Sequence, residues 1–488
     1  MDGPTGVVFP ATGDGRRSTT VLGRAVVADA LRAVDPVGAR SAEHETDWRH
    51  GYLGHFRRLV EAGLLSREAA LTVARDGLAG LHDRMRYIPA DGGEVALDEA
   101  FALPDEEPPL QTATVTGAGP VERELSVPYR GQRLRGDDLR RRLDAWVDAG
   151  VVEPSFAEAV RAVQANPDWL DLCDLRIVVL GAGAEMGPLP SVLRWGGDVV
   201  AVDLPRPEIW RRLLRAAQRH GGRLRLPVRP GTGDGDAALA AGAGADLLHR
   251  LPQAARWLDG LDGRLVLGNY VYADGATNVR VATAVDALTV HLGRRRPDTA
   301  LAFLATPTDV YAVPAEAVAH AERGYAARGL ARRSLRLLSG GRLLHRNYPP
   351  GADPGINDSL VPQQGPNYAL AKRLQRWRAA VARDAGATVS FTVAPPTRTR
   401  SVLRNRALAA AYAGAHRFGI EVFEPATSNT LMAALLVHDL RTGGGPVQDH
   451  PWRDEAYAAA HGGLWRVPYA PRSALGLAVL LGLGGARA

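Results

Sequence analysis

Residues 175–203 read LRIVVLGAGAEMGPLPSVLRWGGDVVAVD: an apolar run, a glycine-rich turn, a helix-compatible stretch and a second apolar run closed by an acid. The first run, Arg176–Leu180, has the length and β-branched content of a buried strand. It passes directly into Gly181, Ala182, Gly183, Ala184, Glu185, Met186 and Gly187. Glycines at a strand end permit a tight turn in which backbone N–H groups approach an anion, with a helix expected behind it. The second run, Val199–Val202, ends in Asp203 and Leu204, at the interval past the loop that a dinucleotide fingerprint requires. A carboxylate there accepts both hydroxyls of an adenosine ribose and repels a 2'-phosphate. Asp203 therefore favours NAD over NADP, and Arg206 pulls the other way. The same loop and acid also suit the adenosyl group of S-adenosylmethionine.

Further along, short apolar runs alternate with helical patterns. The expected strands are Arg223–Val228, Arg264–Leu267, Ala300–Leu304, Thr388–Val393 and Gly419–Phe423; the clearest helices are Glu208–Arg219, Val279–Leu292 and Tyr368–Ala385. This alternation predicts an α/β fold, a doubly wound parallel sheet of Rossmann-like type, over residues 171–488. Residues 1–170 read as a mostly helical N-terminal domain for packing, dimerisation or a lid, with helical spacing in His55–Tyr87 and Gly136–Ala165. A Pro-rich acidic stretch, Leu103–Pro109, and an extended segment ending at Val127–Tyr129 join the two. Residues 312–366 read as an insertion that forms part of a substrate pocket.

A second motif lies at Pro366-Asn367-Tyr368-Ala369-Leu370-Ala371-Lys372, followed by the strand to Val393 and by Pro395-Pro396-Thr397-Arg398-Thr399. Tyr368 and Lys372 stand four apart, one turn along the same helix face, where a lysine cation favours the phenolate and lowers a tyrosine pKa from about 10. A helix with Tyr-x-x-x-Lys, then a strand and a proline-threonine loop, resembles the short-chain dehydrogenase/reductase family. The resemblance covers roughly residues 175–440. It implies NAD or NADP as cofactor, Tyr368 as acid/base, Lys372 on the nicotinamide ribose, and Pro395, Thr397 and Thr399 over the nicotinamide. It implies a hydroxyl donor at the end of the preceding strand, where Thr306 stands. It places Asn269 beside the adenosine and Asn278 near a proton-relay position, although both asparagines equally suit turns or caps. Homodimers are implied by analogy.

The chain departs from the family pattern in four places. Glu185 occupies the middle-glycine position, Asn269 lacks a following Ala-Gly, Thr306 replaces serine, and the segment 312–366 intervenes before Tyr368. The expected function is hydride transfer between a nicotinamide and an alcohol or carbonyl carbon of a small-molecule substrate. The alternatives are an S-adenosylmethionine-dependent methyltransferase, in which Gly181, Gly183 and Asp203 bind the cofactor and Tyr368 is incidental, and a catalytically silent nucleotide-binding relative.

Composition narrows the classes further. A single cysteine, Cys173, excludes an internal disulfide framework and points to the cytoplasm, and the histidines show no metal-ligand spacing. The net charge of +6 is spread over mixed-charge helices with no aromatic-interleaved basic run, so no nucleic-acid partner is expected. Met1–Arg17 lacks the apolar core of a signal peptide, and Ser473–Gly484 is too short to cross a bilayer, so no membrane partner is expected either. That tail reads as a packed terminal helix.

Overall fold

Alternate side chains along the central strands enter two different cores, which is the signature of a sheet buried on both faces. In the computed structural model, which describes residues 4–104 and 107–483, the sheet strands are β1 (Gln111–Thr116), β2 (Leu175–Leu180), β3 (Asp198–Val202), β4 (Arg223–Val228), β5 (Arg264–Asn269), β6 (Ala300–Ala305) and β7 (Val389–Val393). Val178, Leu180, Val200 and Val202 pack into one core; Ile177, Val179, Val199 and Ala201 pack into the other. Near-continuous apolar runs such as RIVVL follow directly from this two-sided burial.

The strand order is β7-β6-β5-β2-β3-β4-β1. Every neighbouring pair is parallel except β1 with β4, which is antiparallel. The chain is thus mixed α/β around a seven-stranded, mostly parallel sheet. Parallel neighbours need crossover connections, and the helices Pro207–Gln218, Ala276–Arg295 and Pro366–Asp384 are three of them.

The first face carries Ala276–Arg295 and Pro366–Asp384, and the N-terminal helices Thr19–Arg32, Trp48–Gly63 and Arg67–Arg84 extend the same core. The other face carries Gly136–Asp148, Pro154–Ala165 and Pro425–Thr442. Residues 4–170 therefore divide between both sides of the sheet, and β1 extends its edge. The helical patterns at His55–Tyr87 and Gly136–Ala165 each resolve into two helices with a break between them. Asp105 and Glu106 of the acidic stretch lie outside the described residues, as do Met1–Gly3 and Gly484 of the tail.

One expected strand is absent from the sheet. At Gly419–Phe423 only Phe423 pairs, by an isolated bridge to Thr397. Gly419 stands in the left-handed region at φ 85° to end the turn before it, and Pro425 opens the next helix, so too few residues remain for a ladder. The segment 312–366 holds a ribbon edge and helices instead of a long loop: Gly355–Asp358 pairs antiparallel with Val310–Val313, and Ala315–Ala326 and Leu330–Leu338 are helical. The tail forms the helix Pro471–Gly482, and no helix of the described residues is long and apolar enough to cross a membrane.

Candidate functional site

The carboxyl ends of β2, β3, β5, β6 and β7 open into one cleft of about 1410 Å³. Gly181, Gly183, Ala184, Glu185, Met186, Asp203, Leu204, Asn269, Asn278, Thr306, Tyr368, Lys372, Pro395, Thr397 and Thr399 all line it. Of the glycine-turn residues, Ala182 and Gly187 do not.

At the β2 end, the turn demands its glycines. Gly181 has φ 80°, and a Cβ there would stand 2.9 Å from the Tyr270 carbonyl oxygen. A Cβ on Gly183 would meet the Arg212 guanidinium at 2.9 Å and the Asp203 carboxylate at 3.0 Å. A Cβ on Gly187 would meet Val179 at 3.5 Å, an ordinary van der Waals contact, so that position has no such constraint. The Gly183 amide donates to Asp203 Oδ2 at 2.7 Å and the Leu204 amide to Oδ1 at 2.8 Å, so the acid that closes β3 also ties down the turn. Burial raises the Asp203 pKa against these two hydrogen bonds and against Arg212 and Arg206. Behind the turn, the helix Leu189–Arg194 has only six residues. Its dipole is correspondingly small, and charge compensation falls to side chains.

Glu185, in the middle-glycine position, reaches across the cleft mouth to the segment after β7. The Arg400 amide donates to Glu185 Oε2 at 2.8 Å and Arg400 Nε to Oε1 at 2.9 Å. The pair bridges the glycine turn to the loop that holds Pro395, Thr397 and Thr399. Thr397 is buried and shares a hydrogen bond with Ser428 at 2.7 Å, while Thr399 pairs with Ser401 at 2.9 Å.

At the other end, Tyr368 lies in the first turn of the helix Pro366–Asp384, started by Gly365 at φ 78° and Pro366. Thr306, just past the end of β6, lies near enough to act on its phenol. The Tyr272 ring stands edge-on to Tyr368 with centroids 6.2 Å apart. Thr306 and Thr308 hydroxyls lie 2.9 Å apart, and Gln364 donates to Thr308 at 2.7 Å. Lys372, one turn on, donates to the Leu304 carbonyl at 3.3 Å and to Gln375 Oε1 at 3.2 Å; Gln375 in turn donates to Asn269 Oδ1 at 3.2 Å. Asn278 accepts from the Ala273 amide at 3.1 Å, which holds the turn ahead of its own helix.

The electrostatics differ from the sequence-based expectation. Burial pushes the Tyr368 phenol above its ordinary value, with Thr306 drawing it back and Asp309 adding to the rise. Burial also lowers the Lys372 ammonium to about 8, against the attraction of Asp309. Both groups are held toward their neutral forms, and the lysine is spent on a carbonyl and an amide oxygen. The reason is desolvation, which disfavours any charge here more than the helix spacing favours an ion pair.

The sequence reading gave the segment 312–366 part of the substrate pocket and the N-terminal region a role in packing, dimerisation or a lid. Among the described residues of the first 170, Arg49 alone lines the cleft, and the segment contributes Ser359, Val361 and residues 363–366. Part of the remaining wall comes from residues 408–478, whose text carries no motif, and the rest from the strand-end loops, including residues 245–249 and 270–275. Among the described residues no group of three or more His, Cys, Asp or Glu side chains could hold a metal ion. No protein-family model and no curated protein matches the chain.

Proposed function

We propose that this chain is an NAD(P)-dependent oxidoreductase of the short-chain dehydrogenase type, with NAD favoured, acting on an alcohol or carbonyl carbon. The observation that carries the reading is convergence: a glycine turn with an acid twenty residues on, and a Tyr-Lys helix with a threonine hydroxyl, open into one cleft at the carboxyl ends of parallel strands. Taken from β2, the strands run in the spatial order third, second, first, fourth, fifth, sixth. This order supports a doubly wound dinucleotide-binding sheet, whose switch point would lie between β2 and β5, where the cleft opens.

The residues present fit the cofactor. Gly183 is closely approached by Arg212 and Asp203, and the amides of Glu185 and Met186 have no acceptor among the described residues, so two donors remain that could meet a pyrophosphate. The Glu185 carboxylate, which would repel that anion, is neutralised by Arg400. Asp203 keeps lone pairs for the ribose hydroxyls. The nicotinamide, when bound, supplies or accepts a hydride. Tyr368 holds the proton that the substrate oxygen gains or loses, Thr306 orients that oxygen, and Lys372 would bind the nicotinamide ribose.

The test is a thermal-shift titration against NAD, NADH, NADP, NADPH and S-adenosylmethionine. A ligand at about 100 times its Kd adds about 2.7 kcal/mol of apparent stability. Stabilisation by a nicotinamide nucleotide, weakened by Asp203→Ala, is expected. Tyr368→Phe should then keep nucleotide binding and lose roughly 10²- to 10⁴-fold in turnover. Response to the adenosyl compound alone would replace this reading with methyl transfer.

A further inference from the structure

The helix Leu330–Leu338 lies on the surface with its apolar side turned to solvent. Its residues, LARRSLRLL, separate into two faces at helical spacing: Leu330, Leu337 and Leu338 fall on one, and Arg332, Arg333 and Arg336 on the other. A surface helix ordinarily turns its leucines to the core. Here the arginines turn to the protein backbone instead. Arg332 donates to the Arg417 carbonyl at 3.0 Å, Arg333 to that of Ala326 at 3.3 Å and Arg336 to that of Leu344 at 3.3 Å. Leu335, between the two faces, packs against a small core of Tyr325, Leu344, Tyr469 and Ala474. The three outward leucines remain 79%, 80% and 86% exposed, and no residue of the helix is buried.

The surroundings carry one sign of charge. Between Glu322 and Asp353 the chain holds no acid, while Arg328, Arg342 and Arg346 join the three arginines of the helix. Arg328 and Arg346 both lie over the Tyr325 ring, 3.7 Å and 4.9 Å from its centroid, which gathers them beside the core on which the helix rests. Among the described residues no carboxylate is ion-paired with any of these six. A second copy of the chain is a poor cover for this face, because pairing two such faces about a two-fold axis brings like charges together. A nucleic acid would take the charge and leave the leucines in water. A bilayer surface with anionic headgroups satisfies both, since leucine side chains enter the acyl boundary while guanidinium groups meet the phosphates.

We propose that the helix Leu330–Leu338 is a peripheral attachment site for an anionic lipid surface. Nine residues are too few to cross a bilayer, and the helix lies along the interface with Leu330, Leu337 and Leu338 inserted. Attachment of this kind needs no spanning segment, and it does not depend on the oxidoreductase reading above. The test is co-sedimentation of the full chain with vesicles of phosphatidylcholine alone and of phosphatidylcholine mixed with phosphatidylglycerol. The chain should bind the mixed vesicles and not the neutral ones. Binding should weaken as salt rises from about 0.1 M to about 1 M, where the Debye length falls from about 10 Å to about 3 Å. The double variant Leu337→Ser, Leu338→Ser should bind roughly 100-fold more weakly. Arg342→Gln should bind about fivefold more weakly. All three side chains are exposed, so both variants should keep the thermal midpoint of the parent. Failure to bind the mixed vesicles, or equal binding to both kinds, overturns the proposal. Binding that the double leucine variant retains overturns it as well, because adsorption would then follow from the net charge of +6 alone. Light scattering of the lipid-free protein addresses the other occupant: a dimer that the leucine substitutions dissociate would replace the lipid surface with a second copy of the chain.

Discussion

Lys372 shows how burial sets chemistry at a single residue. Its ammonium is held at about 8, below its ordinary value near 10.4. Because the folded pKa is depressed, the folded state releases its proton first as pH rises, and the unfolded state binds more protons between about 8 and 10.4. The cost of burying the charge is therefore fully present below pH 8 and is relieved above it, by about 3 kcal/mol in all. In urea unfolding at stepped pH, Lys372→Met should be more stable than the parent at pH 7, and the difference should shrink toward pH 10. A pH-independent difference would show that the lysine is not desolvated. Tyr368, Lys372, Asp203 and the glycines were legible in sequence because spacing and strand ends are local. Their pKa directions were not, since desolvation depends on what packs around them.

Among elements, part of the cleft wall depends on the crossing between Arg406–Gly414 and Pro471–Gly482. A Cβ on Gly414 would stand 2.0 Å from the Ala478 carbonyl oxygen, and one on Gly482 would stand 1.9 Å from that of Ala410. Small residues let the two backbones touch, and a methyl group at the crossing must force them apart. Gly414→Ala is expected to destabilise this pair by roughly 1–3 kcal/mol. Amide hydrogen exchange should then accelerate across Pro471–Gly482 while the amides of β2 keep their protection. Faster exchange in β2 as well would mean that the pair is not a separable unit. In sequence this tail reads only as an apolar, glycine-containing helix, because the position of its partner helix is not encoded in its own periodicity.

At the scale of the molecule, buried ion pairs join distant parts of the chain. Asp286 binds Arg378 and His82, linking Arg67–Arg84 to two crossover helices; Glu153 binds His461 at 2.9 Å and Arg466 at 2.6 Å. Burial alone would raise the Glu153 carboxyl, but the hydrogen bonds from His461 and Arg466 win and hold it at about 2. The folded pKa is depressed, so the stability it contributes is present above about 4.3 and is lost as pH falls toward 2. Glu153→Gln should cost about 3–5 kcal/mol at pH 7, since it leaves Arg466 buried without a counter-charge. The variant should also show a shallower loss of stability between pH 4.5 and 2 in urea titrations. An unchanged acid slope would sink this assignment.

By itself the amino-acid sequence determined the parallel α/β alternation, the glycine turn with its acid, and the Tyr-Lys helix. Each of these is written in residues close together, as a period of two or of 3.6, or as a turn that only glycine allows. Tertiary structure alone decided that N-terminal helices cover one face of the sheet while residues 125–170 cover the other. It decided that Glu185 meets Arg400, 215 residues away, and that the helices Arg406–Gly414 and Pro471–Gly482 contribute to the wall of the same cleft. The reason is that burial and ion pairing act through space, and an amphipathic segment states which face it must hide without stating what will hide it.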